Sequence, residues 1–459
     1  MASILLLPMF RSMEGHQLMK RLLTVSLFVL SFISQTAFSS EIFLPSRNSN
    51  FKEQSGQYIT PQVTEFPNGN IFVRLNPPAH QQALSFHGKN VVIPSGPSLS
   101  DHDLIEILMI GFTSVQYFAG KITLSVNGPE LKSSLPAELI HSLLFSAGFR
   151  ELCYSTKKCM NIRPARFPEQ TFPGTENAAI IGDDYQNLAA SMQKNLNLTS
   201  LNPDSMPSRL DHKLVYIVLP AHAPGNQWLV RSFQNAFAVA KKGGYPFLIA
   251  PYLPYARTDK PERAYGSATG GRLIANLIEA AGFKAAAFVR PHAPQSLGFF
   301  NIPVIDVTGR KTINQYLKNK NIDAVVSPDA GFQKDASKYA QELEKDIFVF
   351  NKMRDIDGKA RILEQQTRSD YTGKTLAIID DETASGSTLA MVATSLKKQG
   401  AKKVIAIVTH LAGPANKAIQ CPSIDELVVT DTIPISQGQT PKFTILPIGP
   451  ELSESLKNL

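Results

Sequence analysis

Two adjacent carboxylates and the turn after them are the part of this sequence best suited to chemistry. A hydrophobic run at 376–379 leads to Asp380 and Asp381, as the end of a buried strand would. The residues that follow are small, and most carry a hydroxyl: Ala384, Ser385, Gly386, Ser387 and Thr388. N–H groups and hydroxyls at such a turn enclose a phosphate monoester, and the carboxylates suit sugar hydroxyls or hydrated Mg²⁺. An acidic pair alone is equally typical of a solvated helix start, but the whole arrangement favours a sugar-phosphate site.

Five other segments accompany this turn. They are PYLPYARTDK at 251–260, RPHAPQSLGFF at 290–300, VSPDAG at 326–331, NKMR at 351–354 and VTDTIP at 429–434. Together with the turn they resemble, in order and context, the ribose-phosphate pyrophosphokinases, also called phosphoribosyl pyrophosphate synthetases. The resemblance spans residues 178–434. It implies a phosphoribosyltransferase-type fold and the transfer of pyrophosphate from Mg-ATP to ribose 5-phosphate, which gives phosphoribosyl pyrophosphate and AMP.

The resemblance also implies roles for single residues. Lys352 and Arg354 match two cations that the family holds over the transferring phosphates, where charge spreads over non-bridging oxygens. Outside this context a Lys-x-Arg pair is typical of a solvated surface. The other implied positions are Arg257 and Thr258 for ATP, His292 and Asp329 for the metal ions, and Asp380, Asp381 and 384–388 for the ribose phosphate.

Three positions depart from the family pattern. Arg290 stands where the family has an acidic metal ligand, and we expect it to repel Mg²⁺. Ala384 replaces an aspartate in the phosphate turn, and Pro261 interrupts a basic run after Lys260. These departures leave two alternatives to the enzyme. One is a secreted protein that binds phosphoribosyl ligands without turnover, and the other is a phosphoribosyltransferase with a different acceptor.

The sequence before residue 303 contains two similar stretches. Each alternates apolar strand, loop and helix, and each second helix ends in Ala-Gly-Phe, at 147–149 and 281–283, where glycine suits a helix stop with positive φ. A chance match of a common α/β pattern is the alternative. The predicted fold class is α/β, with tandem phosphoribosyltransferase-like (Rossmann-like) domains whose mainly parallel sheets are flanked by helices. We predict these boundaries: signal segment 1–40, degenerate copy of the amino-terminal domain 41–163, linker 164–177, amino-terminal domain 178–302 and carboxy-terminal domain 303–459.

The family's adenine-binding loop is missing from 198–213, but a related segment lies in the first stretch. EFPNGNIFVR at 65–74 resembles that loop with its acids changed to amides. In the family this loop reaches the ATP of a neighbouring subunit. We therefore hypothesise that Phe66, Asn68 and Asn70 complete the ATP site within one chain. The alternative is that the first stretch is a structural remnant.

Composition is that of a globular protein with several cores. The 459 residues are 43% hydrophobic and 18% charged, which predicts two or three domains. The net charge of +8 comes from scattered lysines and arginines, so a nucleic-acid surface is not expected. ATP and ribose 5-phosphate are the expected partners, and the sequence leaves open whether the chain forms a homo-oligomer.

The amino terminus has the pattern of a secretory signal. Lys20 and Arg21 precede an apolar run at 22–33, and a small-x-small site follows at 37–39. The run is short for a bilayer span, so we expect export to a periplasm or the medium, with membrane attachment only if the signal is retained. Cys153 and Cys159 are close enough in sequence to form a disulfide in an oxidising compartment. The alternative is that they are two ordinary thiols.

Overall fold

The structure is a computed structural model. It describes residues 41–49, 57–65, 70–75, 86, 89–116, 119–155, 158–168, 170–175, 178–182, 185–220, 225–261, 267–354, 360–363, 371–435, 442–457 and 459. The predicted signal segment at 1–40 lies outside these ranges. None of the helices within them has the length and apolar character needed to cross a bilayer.

The first unit, residues 41–162, is a six-stranded sheet flanked by two helices. Its elements are β1 Glu41–Phe43, β2 Gln57–Tyr58, β3 Gln62–Glu65, β4 Ile71–Arg74, β5 Asn90–Ser95, α1 Asp101–Gln116, β6 Ile122–Val126, α2 Ala137–Ser146, β7 Glu151–Tyr154 and β8 Cys159–Asn161. The sheet order is β2-β1-β5-β6-β7-β8, and β3 and β4 form a separate antiparallel hairpin. In β6, buried residues alternate with half-buried Thr123 and Ser125, as expected when one face of a sheet packs on helices. A disulfide joins Cys153 and Cys159, and Cys421 is a buried free thiol.

The second unit, residues 178–307, is a parallel sheet covered on both faces. Its elements are β9 Ala179–Ile181, α3 Gln186–Leu196, β10 Thr199–Ser200, β11 Leu214–Val218, α4 Gly225–Lys241, β12 Tyr245–Ala250, α5 Gly270–Ala280, β13 Ala285–Val289 and β14 Val304–Val307. The order is β10-β9-β11-β12-β13-β14. Every residue of β11, β12 and β13 is buried, which explains why their sequences are continuous apolar runs.

The third unit, residues 308–457, is another parallel six-stranded sheet. Its elements are α6 Arg310–Lys318, β15 Ala324–Ser327, α7 Gln333–Leu343, β16 Asp346–Val349, β17 Asn351–Arg354, β18 Ala360–Leu363, β19 Thr375–Thr383, α8 Ser387–Lys398, β20 Lys403–Leu411, α9 Asn416–Ile419, β21 Glu426–Thr430, β22 Phe443–Leu446 and α10 Gly449–Leu456. The order is β16-β15-β19-β20-β21-β22, with β17 and β18 as a separate antiparallel pair. Helix α10 packs on α3 of the second unit, where Ile448, Leu452 and Leu456 join its core.

The first two units share one strand order. Reading across each sheet, β2, β1, β5, β6 and β7 occupy the places of β10, β9, β11, β12 and β13. Helices α2 and α5 end alike, because Gly148 and Gly282 have φ of +100° and +104°, as the Ala-Gly-Phe endings predicted. The last strand differs, since β8 is antiparallel to β7 whereas β14 is parallel to β13.

Each helix at the boundary between these units meets its own counterpart. Helix α1 packs on α4, and α2 packs on α5. The two units contribute to one continuous hydrophobic core that includes Phe149, Phe233 and Phe283. Contacts between equivalent elements are the mark of an isologous, two-fold-related interface. The first two units are therefore packed like the halves of a symmetric dimer.

The structure corrects one predicted boundary. Strand β14 pairs with β13, so the sheet of the second unit continues past the predicted boundary at 302/303. At the start of the first unit, Ile42 and Phe43 of β1 are buried. The predicted linker at 164–177 contains no helix or strand among its described residues, and its Phe167 packs edge-on against Phe237.

Candidate active site

Strand β19 brings the two predicted carboxylates to the carboxyl edge of the third sheet. Residues 376–379 are buried, and Asp380 and Asp381 after them are half-buried. Burial raises the pKa of Asp380 well above its ordinary value, and the charges of Asp381 and Asp329 raise it further. Carboxylates crowded in this way are costly unless a proton or a cation neutralises them. The cluster therefore has the charge that a cation site requires.

His292 reaches this cluster from the second unit. Its Nδ1 lies 2.6 Å from Oδ2 of Asp381, and this hydrogen bond raises the pKa of His292. Burial opposes ionisation of Asp381, but the hydrogen bond and charge of His292 outweigh it and lower the pKa of Asp381. The contact is thus a charged pair that joins the ends of β13 and β19.

The residues present fit Mg²⁺ as an ion shared with substrate. Carboxylate oxygens are its preferred protein ligands, and Asp380, Asp381 and Asp329 supply them. Among the described residues, the group that places three potential ligand atoms within 4.8 Å of one another is Glu151 with Cys153 and Cys159, whose sulfurs are already bonded to each other. The carboxylates at β19 therefore do not surround an ion completely. Such a site suits an ion that is also coordinated by water and phosphate oxygens.

The phosphate turn is held rigidly against the segment that follows β20. The backbone oxygens of Ala384 and Ser385 accept hydrogen bonds from the N–H groups of Ala415 and Lys417, at 2.8 and 3.0 Å. The hydroxyls of Ser385 and Ser387 are exposed and lie 3.2 Å apart, and α8 begins at Ser387. Helix amides and paired hydroxyls in a rigid turn form an anion site. Thr388 is half-buried in the first turn of the same helix.

Substituting Gly386 by alanine should distort this turn. Gly386 has φ +75°, and a Cβ there would lie 2.5 Å from the Cβ of Ala418. We expect Gly386→Ala to cost about 1–3 kcal/mol of unfolding free energy and to weaken ribose 5-phosphate binding, measured by denaturant unfolding and calorimetry. Gly373→Ala is the control, because Gly373 has φ +73° with nothing within 4 Å. Equal sugar-phosphate affinity in both variants would contradict this assignment of the turn.

The segment after β12 in the second unit contacts strand β19. Arg257 lies there with its Nε 3.0 Å from Oε2 of buried Glu382, and Tyr252 donates a hydrogen bond of 3.1 Å to Oε1 of the same carboxylate. Thr258 donates to the backbone oxygen of Tyr255 and closes the turn. Arg257, predicted for ATP, therefore faces the strand that carries the predicted ribose ligands, and Thr258, also predicted for ATP, is the next residue of the same turn.

Arg290 has an acidic partner on another unit. Its guanidinium forms an ion pair of 2.9 Å with Asp335 on α7 and lies 4.9 Å from the ring centre of Phe332. This ion pair offsets part of the positive charge that we expect to repel Mg²⁺. Its backbone oxygen lies 3.0 Å from Nε2 of His410.

His410 is a buried support of the site that the sequence did not reveal. The Arg290 oxygen can only accept, so Nε2 carries the hydrogen and Nδ1 faces the Thr432 hydroxyl at 2.8 Å. Burial lowers the pKa of His410 to about 4. The folded chain thus keeps this imidazole neutral at physiological pH.

Stability should fall on acidification because of His410. Between its unfolded pKa near 6.5 and its folded pKa of about 4, the unfolded chain binds a proton that the folded chain does not. Lowering the pH from 7 to 4.5 should therefore remove about 2–3 kcal/mol of unfolding free energy. Denaturant unfolding at the two pH values measures this loss. His410→Gln should lose correspondingly less, and an unchanged loss would contradict the assignment.

Lys352 and Arg354 lie on β17, in the antiparallel pair that directly follows β16. Strand β16 is two places from β19 in the same sheet, with β15 and Asp329 between them. The carboxyl ends of parallel neighbours meet at one edge. The segment with Lys352 and Arg354 therefore begins at the same edge of the sheet as Asp380 and Asp381.

The hairpin of the first unit meets the second unit beside Arg257. Glu65 and Ile71 are paired across its two strands. The hydroxyl of Tyr255 accepts a hydrogen bond of 3.1 Å from the N–H of Ile71 and donates one of 2.7 Å to Asn226. Asn70 is buried. Phe66 and Asn68, also predicted for ATP, lie outside the described residues.

This arrangement defines an α/β protein of the phosphoribosyltransferase type. The Phosphoribosyl transferase domain family matches residues 306–437. The crystal structure of phosphoribosylpyrophosphate synthetase from Mycobacterium smegmatis superposes with a TM-score of 0.54 at 29% identity, covering 61% of this chain and 98% of that one. The predicted class, mainly parallel sheets flanked by helices, is confirmed.

Two relatives identify the family within this class of protein. The ribose-phosphate pyrophosphokinase of Oceanobacillus iheyensis is 34% identical over 248 residues, which are 53% of this chain and 77% of the relative. That of Campylobacter jejuni is 34% identical over 252 residues, covering 54% and 80%. The chain belongs to the ribose-phosphate pyrophosphokinase family.

Proposed function

We propose that this chain transfers the pyrophosphoryl group of Mg-ATP to ribose 5-phosphate. The 1-hydroxyl oxygen of the sugar attacks the β-phosphorus, and the bond from that phosphorus to the α–β bridging oxygen breaks. The hydroxyl proton passes to solvent, and phosphoribosyl pyrophosphate and AMP are released. The observation that carries this proposal is the placement of the phosphate turn and Asp380–Asp381 opposite Arg257 and His292.

The third unit binds the sugar in this mechanism. Ser385, Ser387 and Thr388, with the amides that begin α8, hold the 5-phosphate, and Ala384 and Gly386 shape the turn. Asp380 and Asp381 lie beside the turn and hold the ribose hydroxyls or the ion. Because β19 is paired with β15 up to Ile378 and with β20 as far as Thr383, these groups are preorganised before substrate arrives.

Four polar residues of the other elements act on ATP. Lys352 and Arg354 stabilise the negative charge on the transferring phosphates, while Arg257 and Thr258 hold the ATP phosphates. Mg²⁺, when bound by Asp329 and the carboxylates of β19, supplies charge neutralisation of phosphate oxygens. His292 orients the carboxylate of Asp381 from the ATP side.

The first unit completes the nucleotide site as a degenerate copy of the second. Its shared strand order, its two-fold packing and the contact between Ile71 and Tyr255 support this role. In this role Phe66, Asn68 and Asn70 bind the nucleotide, as residues of a neighbouring subunit do in the family. The face of the second unit under α1 and α2 is occupied within the chain, so a homo-oligomer would use another surface.

Export is the second part of the proposal. The pattern of the first 40 residues supports a secretory signal, and the disulfide between Cys153 and Cys159 is compatible with an oxidising compartment. Cell fractionation of the full chain tests this. Recovery of the whole chain from the cytosolic fraction, at its unprocessed mass, would overturn it.

The reaction is tested with residues 41–459, Mg-ATP and ribose 5-phosphate. AMP should form in proportion to enzyme, only with both substrates present, and should stop when EDTA removes the ion. Asp381→Asn is the control, and it should form AMP far more slowly. Absence of AMP while ribose 5-phosphate still binds would favour the ligand-binding alternative.

A further inference from the structure

The carboxylate of Glu382 occupies a place that no step above uses. It follows Asp380 and Asp381 on β19, but its side chain is only 2% exposed, so it does not reach substrate. A buried carboxylate is costly unless it is paired. Both of its oxygens are met by one segment of the second unit: Tyr252 lies at Oε1 and Arg257 at Oε2.

We propose that Glu382 is the residue that positions Arg257 for the ATP phosphates. This inference rests on the proposed function. Arg257 is 49% exposed, and its Nε lies 3.0 Å from Oε2 of Glu382 as an ion pair, while the other four guanidinium N–H donors are on the two Nη atoms. The ion pair holds the guanidinium beside β19, which matters because Arg recognises phosphate by its geometry.

The support behind Glu382 is rigid. Its backbone is paired in register with His410 on β20, and Tyr252 packs edge-on against the same histidine, with ring centres 5.1 Å apart. Tyr252 also packs with Ala412 and Ile433 of the third unit. The Glu382 carboxylate therefore fixes the position of Arg257, which binds ATP, relative to β19, which carries the ribose ligands.

A double-substitution cycle with direct nucleotide binding tests the proposal. The probe is mant-ATP with Mg²⁺, so no turnover is required. Glu382→Gln keeps the size of the side chain and removes its charge. We expect it to weaken mant-ATP binding about tenfold and to leave ribose 5-phosphate affinity unchanged, and the double variant with Arg257→Ala should bind no more weakly than Arg257→Ala alone.

Three results would overturn the inference. They are unchanged mant-ATP affinity in Glu382→Gln, multiplied losses in the double variant, or a loss of both ligands that indicates general damage. Glu342→Gln is the matched control. Glu342 also forms an ion pair with an arginine, Arg310, at 2.8 Å, but neither residue belongs to the proposed site. Wild-type chain that binds mant-ATP but forms no AMP would refute the proposed reaction while the cycle still decides the role of Glu382.

Discussion

Lys352→Ala is expected to lower turnover about a thousandfold while leaving the fold and ribose 5-phosphate affinity unchanged. Pyrophosphoryl transfer places little covalent demand on the protein, so catalysis depends on charge placed where negative charge develops. Lys352 lies on β17, which starts from the same sheet edge as the carboxylates. The steady-state rate of AMP formation measures turnover, and calorimetry measures the affinity for ribose 5-phosphate.

Lys398→Ala is the control for this substitution. Lys398 is exposed at the end of α8, in the same unit, and its removal takes away the same charge. Its turnover should match the wild type. If Lys352→Ala turned over as fast as Lys398→Ala, the role of the β17–β18 pair in the transfer would be refuted.

Phe66→Ala should weaken adenine-nucleotide binding by about ten- to a hundredfold, because stacking a base on an aromatic ring contributes about 1–3 kcal/mol. The affected site should lie within a single chain, because the contact between Ile71 and Tyr255 holds the hairpin of the first unit against the second unit. Equilibrium binding of mant-ATP measures it. Ribose 5-phosphate affinity should not change.

Phe172→Ala provides the comparison for Phe66→Ala. Phe172 is 41% exposed and packs edge-on against Tyr245, away from the hairpin. It should retain nucleotide affinity. Equal affinity in the two variants would remove the idea that the first unit completes the ATP site, and would leave that unit as a packing partner of α4 and α5.

Much of the fold follows from local sequence pattern. Strands such as β11 and β20 are continuous apolar runs because helices cover both faces, and glycine at the ends of α2 and α5 marks positive φ. Strand β1 could not be predicted from its pattern, because three residues are too few to show a hydrophobic period. Strand β14 was assigned to the wrong unit because only pairing with β13 decides its sheet.

The site was predictable where chemistry lies within one segment. The carboxylates and the phosphate turn are contiguous around β19, so their types and order indicate their use. The ion pair of Arg290 could not be predicted because its partner, Asp335, lies on a helix of another unit. The place of Glu382 could not be predicted for the same reason, since its partners Tyr252 and Arg257 belong to the second unit.

The ³¹P NMR spectrum of one incubation tests the central claim most directly. With residues 41–459, Mg-ATP and ribose 5-phosphate, the β- and γ-phosphorus signals of ATP should be replaced by those of a diphosphate ester on the sugar. AMP should appear in equal amount. Formation of ADP with a singly phosphorylated product, or a spectrum unchanged by enzyme after many hours, would contradict pyrophosphoryl transfer by this chain.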